Sequence, residues 1–327
     1  MEFGLSFYPQ AVVLKGRVYF GGGSSPLGCL VHNTVVIVYD PEQNRWTPLP
    51  QYSYDHFTMT VIKEQLVLVG GRHTQTTLTT GVIGTWEEKT RKWVHPLPPM
   101  PTTCDAATAI AHDDKWLVVA GGRDDGYRSL SKVDILNLST KQWHTGAPLP
   151  QPSHKMTAAV LSGTAVLLGG ASGDFHNKVF SVCLDQLISQ ALFSDTHHTP
   201  ASQWLTLPDT PASLSTALAL KGTLLAVGGV KNEDLNLSSP IYLYRPSSES
   251  WVETGKLPVS RITCACTVLP SGEVFIAGGA VPTPHGQTSV PEPPTEVDIY
   301  SNVTMMQLLI KHHIVHDCIY NMCLYIY

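Results

Sequence analysis

The side chains best equipped for chemistry are imidazoles and thiols near the C-terminal end. His312 and His316 stand four residues apart, with Cys318 and Cys323 close behind. On a helix the two imidazoles would share one face and suit zinc. Nothing around them marks a helix, and the spacing matches no zinc module, so no metal is assigned. Cys264 and Cys266 would share one face of a strand, most simply as small core hydrophobes. His197 and His198 read as a solvated turn. The chain lacks a G-x-S-x-G elbow, a phosphate-binding G-x-x-x-x-G-K-[ST] loop and an H-E-x-x-H pair. No cofactor is expected. Arg and Tyr suit recognition better than catalysis, because they join broad contact area to directional hydrogen bonding.

Composition narrows the class. The 327 residues are 43% hydrophobic and 14% charged, enough to bury a sizeable core. The 26 Gly and 24 Pro are scattered, as short strands and tight turns require. Net charge is −5, without the concentrated basic face that nucleic acid needs. Residues 1–16 lack a secretory pattern. Residues 308–327 are too interrupted by Lys311, three histidines and Asp317 to span a membrane. Seven cysteines, including Cys29, Cys104 and Cys183, form no paired framework. The sequons at Asn137, Asn236 and Asn302 are read as bare. A cytoplasmic protein is expected, with no membrane or nucleic-acid partner.

The elements that would carry any site come from an internal repeat. Apolar runs end in Gly22-Gly23, Gly70-Gly71, Gly121-Gly122, Gly169-Gly170, Gly228-Gly229 and Gly278-Gly279. Their first glycines are spaced by 48, 51, 48, 59 and 50 residues. Trp46, Trp93, Trp143 and Trp251 follow the second glycine by 23, 22, 21 and 22 residues, while Trp204 follows Gly170 by 34. That unit therefore carries an insertion of about a dozen residues. Strand-like runs precede each glycine pair and each Trp, so every unit reads as four short strands. A small twisted sheet with two apolar faces is unstable alone, whereas radial packing buries both faces. The glycines suit close backbone approach, and the indoles suit the contact between units, with an N–H that needs a partner.

The Gly-Gly, Tyr-Asp and Trp pattern, clearest in GGRDDGYRSLSKVDILNLSTKQW (121–143), resembles the kelch repeat over roughly residues 10–300. The implied fold is all-β: a six-bladed kelch β-propeller with four antiparallel strands per blade. The Arg common at the start of the first kelch strand appears only at Arg261; Tyr54, Cys104 and His154 stand in its place elsewhere. The sixth unit lacks a Trp, since the step of seven from Tyr300 lands on Gln307. Either residues 304–310 form a degenerate last strand, or residues 2–7 complete the blade as a clasp. The expected division is a propeller over 1–303 and a divergent tail over 304–327, either last strand or disordered.

The resemblance implies that the loops after the glycine pairs and after the Trp strands share one face at the channel mouth. Mapped onto this chain, that face would present Tyr54, Arg72, His73, Arg123, Asp124, Asp125, Tyr127, Arg128, His154, His176, Arg261 and His285. The Pro-rich loop 280–296 could cover it or be a tolerated insertion. The implied function is a scaffold binding another protein or peptide there, not an enzyme. Many kelch propellers recognise substrates for ubiquitin ligases beside BTB and BACK domains. Here the repeats begin near residue 10, so such an adaptor would need another subunit or a longer product. The alternative is a sugar enzyme of the galactose-oxidase or mutarotase type. That reading needs Tyr127, His73, His154 and His176 to converge, with three imidazoles within metal-bonding reach.

Overall fold

The computed structural model describes residues 8–23, 34–193, 204–231, 239–258, 260–279, 281–282, 288–289 and 298–300. Five complete blades are antiparallel sheets whose four strands follow chain order from the channel outwards. Blade I holds Gln10–Leu14, Arg17–Gly21, Ile37–Asp40 and Arg45–Pro48. Blade II holds Thr58–Ile62, Gln65–Val69, Ile83–Glu87 and Lys92–Val94. Blade III holds Thr108–His112, Trp116–Ala120, Val133–Asn137 and Gln142–Thr145. Blade IV holds Thr157–Leu161, Thr164–Leu168, Val179–Cys183 and Leu205–Leu207. Blade V holds Thr216–Leu220, Thr223–Val227, Pro240–Arg245 and Ser250–Lys256.

The sixth sheet corrects the expected count of four-stranded blades. It has three strands among the described residues, Ala265–Val268, Val274–Ala277 and Asp298–Tyr300. Both segments considered for its fourth strand, 2–7 and 304–310, lie outside the described residues. The rest of the tail to residue 327 also lies outside them. Its inner strand nevertheless lies against the inner strand of blade I. Val18, Phe20, Tyr39, Phe275 and Ala277 share one apolar cluster at that seam.

The core is thus a series of such seams rather than one central mass. Two-sided burial explains the near-continuous apolar second strands, such as the fully buried Leu117 and Val118. At the seam from blade III to blade IV, Gly122 donates its N–H to Ser153 O at 2.9 Å. Gly121 has φ +67°, and a Cβ there would stand 2.3 Å from the same oxygen. No L side chain fits that approach. The same bond recurs from Gly71 to Cys104 O and from Gly229 to Arg261 O.

The indoles work the other way, back to the preceding blade. Trp93 donates to Pro50 O at 2.8 Å, Trp143 to Pro98 O at 3.3 Å and Trp251 to Pro208 O at 2.8 Å. Trp204 donates to Ala147 O at 2.9 Å. Three of the indoles also pack on an aromatic ring of the adjoining strand, Trp46 on Tyr39 at 4.9 Å, Trp93 on Trp86 at 5.2 Å and Trp251 on Tyr244 at 5.2 Å.

A third set of seam contacts rings the channel. Residues Tyr8, His56, Ala106, Lys155, Leu214 and Thr263 all have φ between +50° and +62°. Each lies just ahead of an inner strand. Within this collar Ala106 donates to His56 O and Lys155 to Ala106 O, both at 2.8 Å. Below it the threonines that open the inner strands bridge to the next blade, Thr108 to Met156 O and Thr216 to Cys264 O. In blade I Gln10 takes that place, its side-chain oxygen accepting from Thr58 and from Met59 N–H.

The purely β expectation also needs correction in blade IV. The insertion contains a helix, α1 (Leu184–Phe193), which buries Leu184, Leu187, Ile188 and Ala191. That i, i+3, i+4, i+7 stripe packs with Trp204 into the blade III–IV cluster. His197 and His198 lie outside the described residues.

Because Trp143 is half-buried yet bonded across a seam, Trp143→Ala should cost about 3 kcal/mol, the low end for loss of a large core aromatic. Urea unfolding should show the midpoint fall accordingly.

Candidate recognition face

The loops that follow the glycine pairs emerge together with the segments that enter the inner strands. Their centre is Asp105, whose side chain is wholly buried. Arg72 Nε donates to its Oδ2 at 2.7 Å. Arg123 donates through Nε to Oδ1 at 2.9 Å and through Nη2 to Oδ2 at 3.0 Å. The backbones reinforce this pairing, since Asp105 and Arg123 exchange two N–H···O bonds of 3.0 and 2.9 Å. Arg72 also donates through its two terminal nitrogens to Thr77 O and Asp124 O, at 2.6 and 3.2 Å. Arg72 is therefore 7% exposed and fastens loop to loop rather than projecting.

Tyr127 stands on this base. Its ring meets the Arg72 guanidinium at 4.5 Å and that of Arg123 at 4.8 Å, both within cation–π reach. It is 61% exposed and has φ +60°. Its loop is fixed on both sides. Asp124 accepts from Arg128 N–H and Nε, each at 2.9 Å. Asp125 accepts from Thr79 N–H at 2.5 Å. The Arg128 backbone bond, then its side chain, holds the Asp124 carboxyl below its ordinary range. The Thr79 N–H does the same for Asp125.

The histidines do not converge. His154 lies beside Ser129 Oγ at 2.9 Å, and His176 beside Ser153 Oγ at 3.0 Å. His73 accepts from Gln75 and Thr76 N–H and meets the Tyr54 ring at 5.3 Å. Among the described residues, the one group of three ligand-type side chains is His112, Asp113 and Asp185. It sits at the hairpin end of the blades, away from this face, where His112 Nε2 bonds Asp185 of α1 at 2.8 Å. Burial, then Arg123 and Lys155, pushes His154 down to about 4. Burial and then Lys178 lower His176. Lys155, its ammonium 4.5 Å over the Tyr8 ring, is pushed down to about 8 by burial and by Arg123.

Of the residues expected to present themselves, Arg123, Asp124, Asp125, Tyr127 and Arg128 form one patch with Arg72 beneath. Tyr54 and His73 border it, and His176 lies beyond His154. His154 and Arg261 are corrected to interior positions, at 8% and 3% exposure. Arg261 donates to Gly278 O at 3.1 Å and its backbone is clasped by Ser239. His285 and most of the loop 280–296 lie outside the described residues.

Sequence reasoning passed over Asp105. A signal existed, because Asp55 and Asp105 hold the same place in successive units, and Arg72 and Arg123 each directly follow a glycine pair. It also passed over Leu78 and Phe175, 55% and 54% exposed, which with Tyr127 crown the loops of three consecutive blades.

Radial antiparallel blades joined by glycine pairs and indoles, with a loop face over a narrow channel, define a repeat β-propeller. The family model described as the KLHDC2/KLHL20/DRC7 Kelch-repeats domain matches residues 56–279. The chain belongs to the kelch-repeat family. It is 26% identical over 265 residues to Kelch-like protein 35 of Mus musculus, covering 77% of this chain and 39% of that protein. It is 24% identical over 256 residues to Kelch-like protein terF of Aspergillus terreus, covering 73% and 53%. Kelch repeat and BTB domain-containing protein 1 of camelpox virus is 21% identical over 246 residues, with 74% and 41% covered. The chain thus spans roughly two-fifths to one-half of these relatives' lengths. The solved structure of YjhT superposes with a TM-score of 0.66 at 15% identity, over 91% of this chain and 98% of that one. That likeness concerns the fold alone. Among the described residues, no helix is long and apolar enough to cross a membrane.

Removing the central carboxylate leaves two guanidiniums without their buried partner, so Asp105→Ala should cost about 3–5 kcal/mol in chemical denaturation. His154 binds its proton less readily folded than unfolded, so its contribution to stability is full above about pH 6.5 and is lost as pH falls towards about 4. His176 acts in the same direction. Thermal melts across that window should fall with pH, and His154→Gln should flatten the slope.

Proposed function

We propose that the chain is a protein-interaction scaffold that grips a partner protein or peptide on the channel-mouth face, with Tyr127 as the principal anchor. The observation that carries this reading is the support under Tyr127. An aromatic ring that is mostly exposed, yet packed against two guanidiniums fixed on a buried carboxylate, loses little freedom on binding. Aromatic and Arg groups of this kind dominate interface energetics. Leu78 and Phe175 supply apolar contact to either side, and Arg123, Arg128, Asp124, Asp125, Tyr54, His73 and His176 supply directional bonds at the rim. Arg72, His154 and Arg261 act from within, by holding the loops.

The family and the names of relatives support a binding role rather than an enzymatic one. In its finer form, the chain is the substrate-recognition part of a ubiquitin-ligase type adaptor, working in the cytoplasm. The BTB domain in the name of the viral relatives supports this, since the chain matches only part of their length. The ring proposed here has six blades. The propeller occupies 1–303, with 304–327 as its tail.

A Leu78→Ser/Tyr127→Ala/Phe175→Ser variant should fold normally, because all three side chains are exposed, yet lose captured partners at least tenfold, the scale of a single hot spot. A Phe193→Ser/Leu205→Ser variant on blade IV, away from these loops, should capture as the wild type does. The opposite pattern would place the binding surface elsewhere.

A further inference from the structure

The collar at the channel mouth surrounds a cavity of about 40 Å³. Tyr8, His56, Ala106, Lys155, Leu214 and Thr263, one from each repeat unit, all line it. The cavity lies beneath the loop face, and Tyr127 is not part of its wall. Over it the Tyr8 ring reaches from blade I to blade IV. It stacks on Phe175 at 5.9 Å, with the Lys155 ammonium 4.5 Å from its centre.

Most polar side chains of this wall are already engaged. Thr157, Ser215 and Thr216 give their hydroxyl protons to backbone carbonyls. The side-chain oxygen of Gln10 accepts two bonds from blade II. Two groups differ. Thr263 is 5% exposed, and its Oγ1 has no hydrogen-bond partner among the described residues. A buried hydroxyl left unpaired is costly. Lys155, half-buried, makes no ion pair among the described residues. The one carboxylate whose charge favours its ammonium, Asp105, is bonded to both Arg72 and Arg123. Burial and the Arg123 charge outweigh that help, so the ammonium stands without a counter-charge.

We propose that this cavity binds a short monocarboxylate of the acetate class. The Lys155 ammonium and the Thr263 hydroxyl donate to its carboxylate, while its carbon stem rests on Phe57, Met156 and Leu214 of the same wall. Charge selects the anion, because a lysine ammonium only donates and a carboxylate supplies the missing negative charge. Size selects the class. One water needs about 10–15 Å³ of such space, so the cavity holds a ligand of only a few heavy atoms. The apolar part of the wall favours a methyl-bearing carboxylate over a bare inorganic anion.

Isothermal titration of the full chain with acetate, and with acetamide as its neutral isostere, tests the assignment. The control is Lys221→Met, which removes an exposed lysine at the hairpin end of blade V. Wild type and control should each bind one acetate, and bind acetamide at least tenfold more weakly. Lys155→Met should weaken acetate at least tenfold, the scale of a lost charge-assisted hydrogen bond, and Thr263→Val should weaken it several-fold. The site is overturned if the wild type binds no acetate, if acetamide binds equally, or if either cavity variant binds acetate as the wild type does. Should the cavity variants fail to fold, acylation of the wild type by an amine-selective reagent decides. Saturating acetate should slow labelling of Lys155 at least tenfold and leave Lys221 unchanged; labelling of Lys155 that ignores acetate rejects the site.

Discussion

A blade of four short strands has two apolar faces and cannot hide either by itself, so the molecule depends on how one blade is fastened to the next. Two hydrogen bonds do most of this fastening. The second glycine of a pair gives its N–H forward to the following blade, as Gly122 does to Ser153 O. The indole gives its N–H back, as Trp143 does to Pro98 O. Buried N–H groups must find partners, and here each partner belongs to another blade. Satisfying the backbone and assembling the ring are therefore one process. The glycine before Gly122 is indispensable as well, because a Cβ on Gly121 would stand 2.3 Å from the same Ser153 O.

The candidate recognition face is a by-product of the same seams. The carbonyls that receive the forward bonds lie in the segments entering the inner strands, and Asp105 sits in one of those segments beside Cys104. Its carboxylate faces the loop leaving its own glycine pair and the loop of the blade before it. One buried charge thereby sets two loops at once. Burying such a charge is costly unless it is paired and fully bonded; Asp105 receives three guanidinium bonds. The result is a rigid seat for Tyr127 on an otherwise mobile class of element, the exposed loop.

The channel beneath the face has its own chemistry. Threonine hydroxyls bridge most of its inner strands, but Gln10 and the Cys264–Cys266 pair depart from that pattern where the ring begins and ends. Gln10 faces blade II from the first blade, and Cys264 faces blade V from the sixth sheet. Repeats constrain their interior copies most strongly and their terminal copies least. Unusual side chains collect where that constraint is weakest.

By itself the sequence determined the repeat, the β class and the seams, because glycine pairs and indoles recur every fifty residues or so and each has a single physical use. The shared loop face, with the Arg-Asp-Tyr run at 123–128 on it, was an expectation from the resemblance to the kelch repeat rather than from spacing. The sequence left the helix in blade IV unread, although Leu184, Leu187, Ile188 and Ala191 carry a helical stripe, because the insertion was reckoned only as a length. It treated Arg72, His154 and Arg261 as surface groups alongside Arg123 and Tyr127. Only the tertiary structure separated them. Whether a guanidinium projects or turns inward depends on a carboxylate or carbonyl brought from another blade, and that distance has no trace in local spacing. The same holds for the two thiols: their spacing is written in the chain, but only the packing of the blades sets Cys264 into the seam to blade V and Cys266 on the channel wall.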